Sequence, residues 1–296
     1  MNVIEIPVTG KKIEYPSSWE ECSQEQLRYI FREALLLIAG ERDLQEFKIR
    51  IFYFLAGIRR KQKHNKKDKL LTKREQEQKY WNVIRAAETV MFMFSERDGQ
   101  TVFDYNCLQN MFPEVRIRRK KFYGPKSALF NITFGEYRVA YDYFRTFIDE
   151  QDETALDRLC AVLYRPVRSG KIDDDIRTDF NPNECARAAT RFKRLPVEIK
   201  HIIFSWFAAC DNYLKSGDIK IEGRTINLRC LFKQEGGGDD AGLGLTGILM
   251  GIADTGTFGT MQEVDRTNLY TVMLRLYLWH QENERLKKLY KKNDKP

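Results

Sequence analysis

The chain has no paired-cysteine motif, no phosphate-binding loop closed by a lysine, and no long apolar run. Each absence removes a class of protein. The six cysteines, Cys22, Cys107, Cys160, Cys185, Cys210 and Cys230, are never closer than twenty residues, which excludes a C-x-x-C redox pair and the usual zinc spacings. Cys160 and Cys210 fall on apolar helix stripes, where a free thiol behaves as a small hydrophobe. The set therefore reads as reduced thiols in a cytoplasmic setting. No window approaches about eighteen apolar residues, so no membrane span and no membrane partner are expected. The opening residues MNVIEIPVTGKKIEYP carry neither an apolar core nor a cleavage site, and no signal peptide is expected. The only histidines, His64, His201 and His280, have no serine or cysteine beside them in a nucleophile context. They read as surface or interface residues.

Two local patterns imitate chemistry. Gly242-Leu243-Gly244-Leu245-Thr246-Gly247 spells G-x-G-x-x-G, but Asp239-Asp240 stand before it and no βαβ unit surrounds it. It reads as a flexible loop running into a helix. Asp173-Asp174-Asp175 with Asp179 lacks calcium-loop spacing and reads as a solvated acidic turn. The sequence thus offers no catalytic residue, no metal ligand set and no cofactor, and the protein is expected not to be an enzyme.

What is present is helix, hairpin and clustered charge. At 296 residues and 35.0 kDa, with 43% hydrophobic residues, the chain can bury one generous core or two modest ones. Residues 2–7 and 11–15 alternate as a hairpin. Ser23 with Gln26, Asp43 with Glu46, Thr72 with Glu75, Thr133 with Glu136 and Thr260 with Glu263 mark helix starts, those at Ser23 and Thr133 as capping boxes. Asp152, Asn181-Pro182 and Pro196 open three more, and 243–253 is a short helix of small residues. The third helix is expected to run on to Asp98-Gly99, and the last from Thr260 into the charged tail. Residues 100–132 read as irregular, with short strands near 101–103 and 129–132. IKIEGRTINL is a second hairpin turning at Glu222-Gly223, and residues 234–242 are an acidic loop. The fold class expected is mainly α, a multi-helix bundle-like fold with two small β-hairpins. The helical unit after Ser23 and the one after Thr133 match at an offset of 110, which raises a tandem duplication beside the default likeness of helix hairpins. Three segments follow: 1–130, a hairpin plus helical unit; 131–216, a second helical unit; and 217–296, a hairpin, glycine-rich loop and final helix. All three can share one compact domain.

The net charge of +8 is concentrated. Residues 59–79 carry +7, 116–126 carry +6 and 285–295 carry +5, leaving −10 for the rest. Arg59, Arg60, Lys61, Lys63, Lys66, Lys67, Arg116, Arg118, Arg119, Lys120 and Lys121 are candidate phosphate contacts, with Phe122 and Tyr123 placed to stack on bases. The same charge would equally steer docking onto an acidic protein surface. Among the clustered aromatics, Tyr143 and Phe204 point away from their helix stripes. With Trp279 and the helix around 268–279 they are candidate partner contacts.

The opening hairpin with PSSWEE and a capped helix, the T-x-x-E helix leading to LCAVLYRP, the block L-P-x-E-I-x-x-x-I-x-x-W-F and the pattern GIADTGTFGT resemble proteins of tailed-bacteriophage tail modules. The likeness is to the tail-assembly chaperone type encoded beside the tape measure. That resemblance implies a role in virion assembly, as a chaperone of a helical partner or a small structural component. It implies the host cytoplasm or the virion as location, and other protein chains, such as the tape measure or a second copy of itself, as partners. The expectation is therefore a non-enzymatic assembly protein binding other chains through helix faces. The alternative is a nucleic-acid-associated factor clamping phosphates with the three basic clusters.

Overall fold

A short polar residue followed three places later by Glu or Gln starts a helix wherever the sequence marks one, because its side chain accepts a backbone N–H that the first turn leaves unbonded. The computed structural model describes residues 1–6, 11–58, 72–169, 175–221, 224–232, 244–254 and 256–293. Ser23, Thr72 and Thr260 form reciprocal capping boxes with Gln26, Glu75 and Glu263. Asp43 accepts from the Glu46 N–H at 2.7 Å.

The described residues hold eleven α-helices and four separate two-stranded antiparallel hairpins, a mainly α protein. The expectation of two hairpins is corrected to four. The chain divides into two compact units, one of residues 1–107 and 196–202, the other of 108–195 and 203–296.

In the first unit, β1 (Asn2–Ile6) pairs with β2 (Lys11–Tyr15). Helices α1 (Gln24–Ile38), α2 (Leu44–Leu55) and α3 (Lys73–Glu88) follow. The third helix stops earlier than its apolar pattern suggests. Phe94–Arg97 is β3, paired with β4 (Gln100–Phe103), and Asp98-Gly99 is their turn, with φ of 51° and 74°. Two consecutive left-handed residues match the twist of a tight hairpin, so the pair turns a ribbon rather than ending a helix. Trp19, 1% exposed, centres this unit's core, with Phe31, Phe103 and Tyr105 ringed about it and its indole N–H donating to the Asp104 carbonyl at 3.2 Å.

The second unit opens with a hairpin that alternation alone did not mark, β5 (Glu114–Ile117) and β6 (Lys120–Tyr123). Residues 129–132 are not a strand. A 3₁₀ turn at Ser127–Leu129, with left-handed Ala128 and Leu129, leads into α4 (Phe134–Glu150). Then come α5 (Glu153–Leu163), α6 (Cys185–Phe192) and α7 (Val197–Ser216), whose first turns count with the first unit. β7 (Asp218–Ile221) and β8 (Arg224–Asn227) form the last hairpin, followed by α8 (Arg229–Phe232), α9 (Gly244–Asp254), α10 (Met261–Arg266) and α11 (Leu269–Asn293). The expected single last helix is thus two. Thr267 leaves helical geometry, and Asn268 starts α11 by accepting from the Tyr270 N–H at 2.9 Å. The backbone of 267–269 is bonded to 132–134, which fixes the break.

Thr133 caps α4, but its capping box is not completed. Glu136, 2% exposed, turns inward and accepts from Arg165 at 2.8 Å and Arg177 at 3.1 Å. Arg177 also holds Asp175 at 2.7 Å, and the two arginines donate to the carbonyls of Val162 and Leu163, which the end of α5 leaves unbonded. Asp175 is therefore part of a half-buried ionic knot rather than a solvated turn. The five buried cysteines and the half-buried Cys230 are free thiols, with Cys160 and Cys210 in the core as expected.

Candidate functional site

The strongest concentration of unpaired charge among the described residues is built by β5–β6 and the end of α6. The hairpin alternates. Val115, Ile117 and Phe122 face inward, while Arg116, Arg118, Arg119, Lys120 and Lys121 are exposed. Its base is held rigidly. Tyr123 exchanges both backbone hydrogen bonds with Arg165, at 2.8 and 3.1 Å, so the buried ionic knot anchors the ribbon. Gly124 lets the chain pass beside Tyr164. A methyl there would lie 2.6 Å from the Tyr164 ring and 2.8 Å from Asn110 Nδ2. The Tyr164 hydroxyl in turn donates to the Phe112 carbonyl at 2.8 Å.

Packing of Phe122 on Phe192, with ring centroids 5.2 Å apart, brings the end of α6 to the hairpin. Arg191 and Arg194 thereby line the same cavity of about 430 Å³ as Arg118, Arg119 and Lys120, with Ile117 and Phe122 as its floor. A second depression of about 300 Å³ adjoins it and shares Lys120, Phe122 and Arg191. The only acid on the ribbon, Glu114, is neutralised by Lys121 at 3.0 Å. Among the described residues, Arg118, Arg119, Lys120, Arg191 and Arg194 have no ion-pair partner.

Sequence reasoning singled out the hairpin cations and missed those of α6. The run Arg191 to Arg194 is short and lies some seventy positions downstream, and the Phe122–Phe192 contact joins them. Phe122 is 2% exposed and so presents no ring face to a base, which corrects the stacking role expected of it. Tyr123 is half-buried. Arg59, Arg60, Lys61, Lys63, Lys66 and Lys67 lie outside the described residues, as do His64, Asp173, Asp174, residues 234–242 and the last three residues.

The candidate partner contacts fall at different depths. Phe204 packs between Phe144 and Phe147, at 4.9 and 5.0 Å between ring centroids. Tyr143 is half-buried beneath the Arg158 guanidinium, 5.6 Å from its ring. Trp279 is half-buried on α11. The first turns of that helix are core, with Leu269, Val272 and Met273 at most 1% exposed. Its outer half is different. Leu278, Leu286, Leu289 and Tyr290 are 44–69% exposed and, at about 100° per residue, fall with Trp279 in one stripe about 120° wide. A groove of about 700 Å³ runs beside it, lined by Asn227, Tyr277, His280 and Leu289 among others. From 281 to 293 the helix carries five basic and two acidic residues.

No helix among the described residues is long and apolar enough to cross a membrane. Neither a known protein family, nor a curated protein, nor a solved structure matches this chain.

Proposed function

We propose that the protein is a non-enzymatic assembly protein of a tailed-phage virion or tail module that binds another protein chain through a helix face. The observation that carries this reading is the exposed stripe of Leu278, Leu286, Leu289 and Tyr290 on the outer half of α11. Apolar side chains on one face of a helix, here interrupted by Glu282, are the pattern of helix-in-groove recognition. The flanking charge selects the occupant, an amphipathic helix of a partner chain with acidic residues beside its own apolar row. A helical virion component such as a tape measure fits that description, and the place of action is then the host cytoplasm or the virion. The same reading takes the helices as a bundle-like scaffold. It takes the helix starts at Ser23 and Thr133 as a duplicated unit, supported by the matching caps and opposed by the different uses of Gln26 and Glu136.

The test is fluorescence anisotropy of a labelled acidic amphipathic helical peptide against the full chain, with light scattering on the same samples. Binding should persist at high salt and fall at least about tenfold in Leu286→Ala/Leu289→Ala, a loss of about 1.4 kcal/mol, while the melting midpoint stays unchanged. A midpoint lowered by several degrees would place the stripe inside the fold. A concentration-dependent dimer that excludes the peptide would assign the stripe to a second copy. Either outcome ends this reading.

A further inference from the structure

We infer that the cavity between the β5–β6 hairpin and the end of α6 is a binding site for the phosphodiester backbone of nucleic acid, read without regard to sequence. The site is independent of the α11 stripe, so the two can fail separately.

Five cations, Arg118, Arg119, Lys120, Arg191 and Arg194, line one concavity, and none has an ion-pair partner among the described residues. At physiological salt the screening length is about 8 Å, so charges sharing one cavity repel each other across it. An anion seated among them removes that repulsion, and a polyanion releases its own condensed counterions as well. Four of the five are arginines, whose planar donor fork matches a pair of phosphate oxygens better than a lysine's point charge does. The adjoining depression, sharing Lys120 and Arg191, extends the path past one phosphate and suits a chain of them.

Arg118 sits at the hairpin turn with φ of 56°, a left-handed backbone that glycine adopts without penalty and other residues only at a cost of about 1–2 kcal/mol. The Asp98-Gly99 turn of the first unit has glycine at one such position. At Arg118 the strained position carries a guanidinium and aims it from the tip of the ribbon. Strained backbone of this kind is characteristic of functional positions. The buried Phe122 floor beneath the five cations offers shape and no exposed ring, and Tyr123 in the adjoining depression is half-buried, so contact at the cations is to the backbone and not to the bases.

The experiment is fluorescence anisotropy of the full chain with a labelled DNA duplex and a single strand of equal length, between about 50 and 200 mM salt. Five phosphate contacts predict a duplex slope of log affinity on log salt of about −4 to −5. Arg191→Glu/Arg194→Glu should weaken binding at least about tenfold and make the slope shallower by about 2. Arg118→Gly should also weaken binding, while its melting midpoint holds or rises, which separates a lost contact from a damaged fold. Arg285→Glu/Lys288→Glu on α11 should bind as the parent does. The inference is overturned by any of three results: no binding at the lowest salt, equal binding by the Arg191→Glu/Arg194→Glu variant, or competition by polyglutamate as effective as by unlabelled DNA at equal charge.

Discussion

Within the second unit arginine is used in two opposite ways. Around Glu136, Arg165 and Arg177 are 9% and 0% exposed, and their donors go to carboxylates or to backbone carbonyls, those of Val162 and Leu163 at the end of α5 and those of Asn131 and Thr178. At the hairpin tip and the end of α6, arginines of the same chemistry stand in solvent without a partner. The first set is fixed by what it touches and the second is left free to be touched. The difference teaches that charge count alone says little. A buried guanidinium must be matched, because an uncompensated ion in the interior costs several kcal/mol, whereas an exposed one is matched by water until a ligand arrives. The two sets are also joined, since the main chain of Arg165 holds the ribbon that carries the second.

The comparison breaks most severely at its anchor. Glu136→Ala leaves Arg177 with Asp175 as its carboxylate and Arg165 with none among the described residues, and should cost about 3–5 kcal/mol in urea denaturation at neutral pH. An unchanged midpoint would mean that Arg165 and Arg177 are no better matched than the exposed set. Gly124→Ala comes next. Its new methyl would press on the Tyr164 ring and on Asn110, both buried, so a loss of about 1–3 kcal/mol is expected. Because the ribbon must shift to relieve that contact, DNA affinity should fall together with stability. Arg191→Glu/Arg194→Glu should instead lower affinity alone. If Gly124→Ala lost stability and kept its affinity, the geometry of the ribbon would be irrelevant to binding.

Acid sharpens the contrast. Burial alone would raise Asp175, but the hydrogen bonds and charge of Arg177 outweigh it and hold the carboxyl below its usual range. Glu198 in the first unit is held low in the same way, with Arg28 and Arg32 overcoming burial. A carboxyl whose folded pKa is depressed stabilises the protein above its unfolded value of about 4, and that stabilisation is lost as pH falls through the folded value. Denaturation midpoints should therefore be level near neutrality and fall below about pH 4, and Asp175→Asn should be less stable at neutral pH with a shallower acid limb. An identical acid limb in Asp175→Asn would remove Asp175 from the linkage.

The local grammar of helix starts was legible because a cap acts over three residues. Ser23, Asp43, Thr72 and Thr260 do what their sequence suggests. Thr133 shows the limit. Glu136 stands where a capping glutamate would, yet its partners Arg165 and Arg177 lie 29 and 41 residues away, and no local pattern reveals the choice between them. The hairpin cations were visible as composition. Their convergence with Arg191 and Arg194 was not, because it depends on Phe122 meeting Phe192. Strand β3 was mistaken for the end of a helix because Phe94 continues the helical spacing of Val90 and Met91, whereas its partner β4 lies where a short strand was expected near 101–103, and the two left-handed turn residues separate the readings.

The smallest effect tests the exposed set directly. Arg194→Gln should change stability by no more than about 0.5 kcal/mol, as for surface positions in general. Its sign reports which of two opposing terms is larger. Removing one of several like charges relieves repulsion within the cavity, which favours the variant. Arg194 also lies just past the end of α6, where a cation interacts favourably with the partial negative charge of the last carbonyls, which favours the parent. Both terms are electrostatic at an exposed site, so at about 1 M salt, where the screening length is about 3 Å, the difference should vanish. The measurement is the melting midpoint of parent and variant at low and at high salt. A small gain at low salt that disappears at high salt means that repulsion dominates and that the cavity is poised for an anion. A loss of about 1 kcal/mol or more at both salts would give Arg194 a structural partner and move it into the class of Arg165 and Arg177.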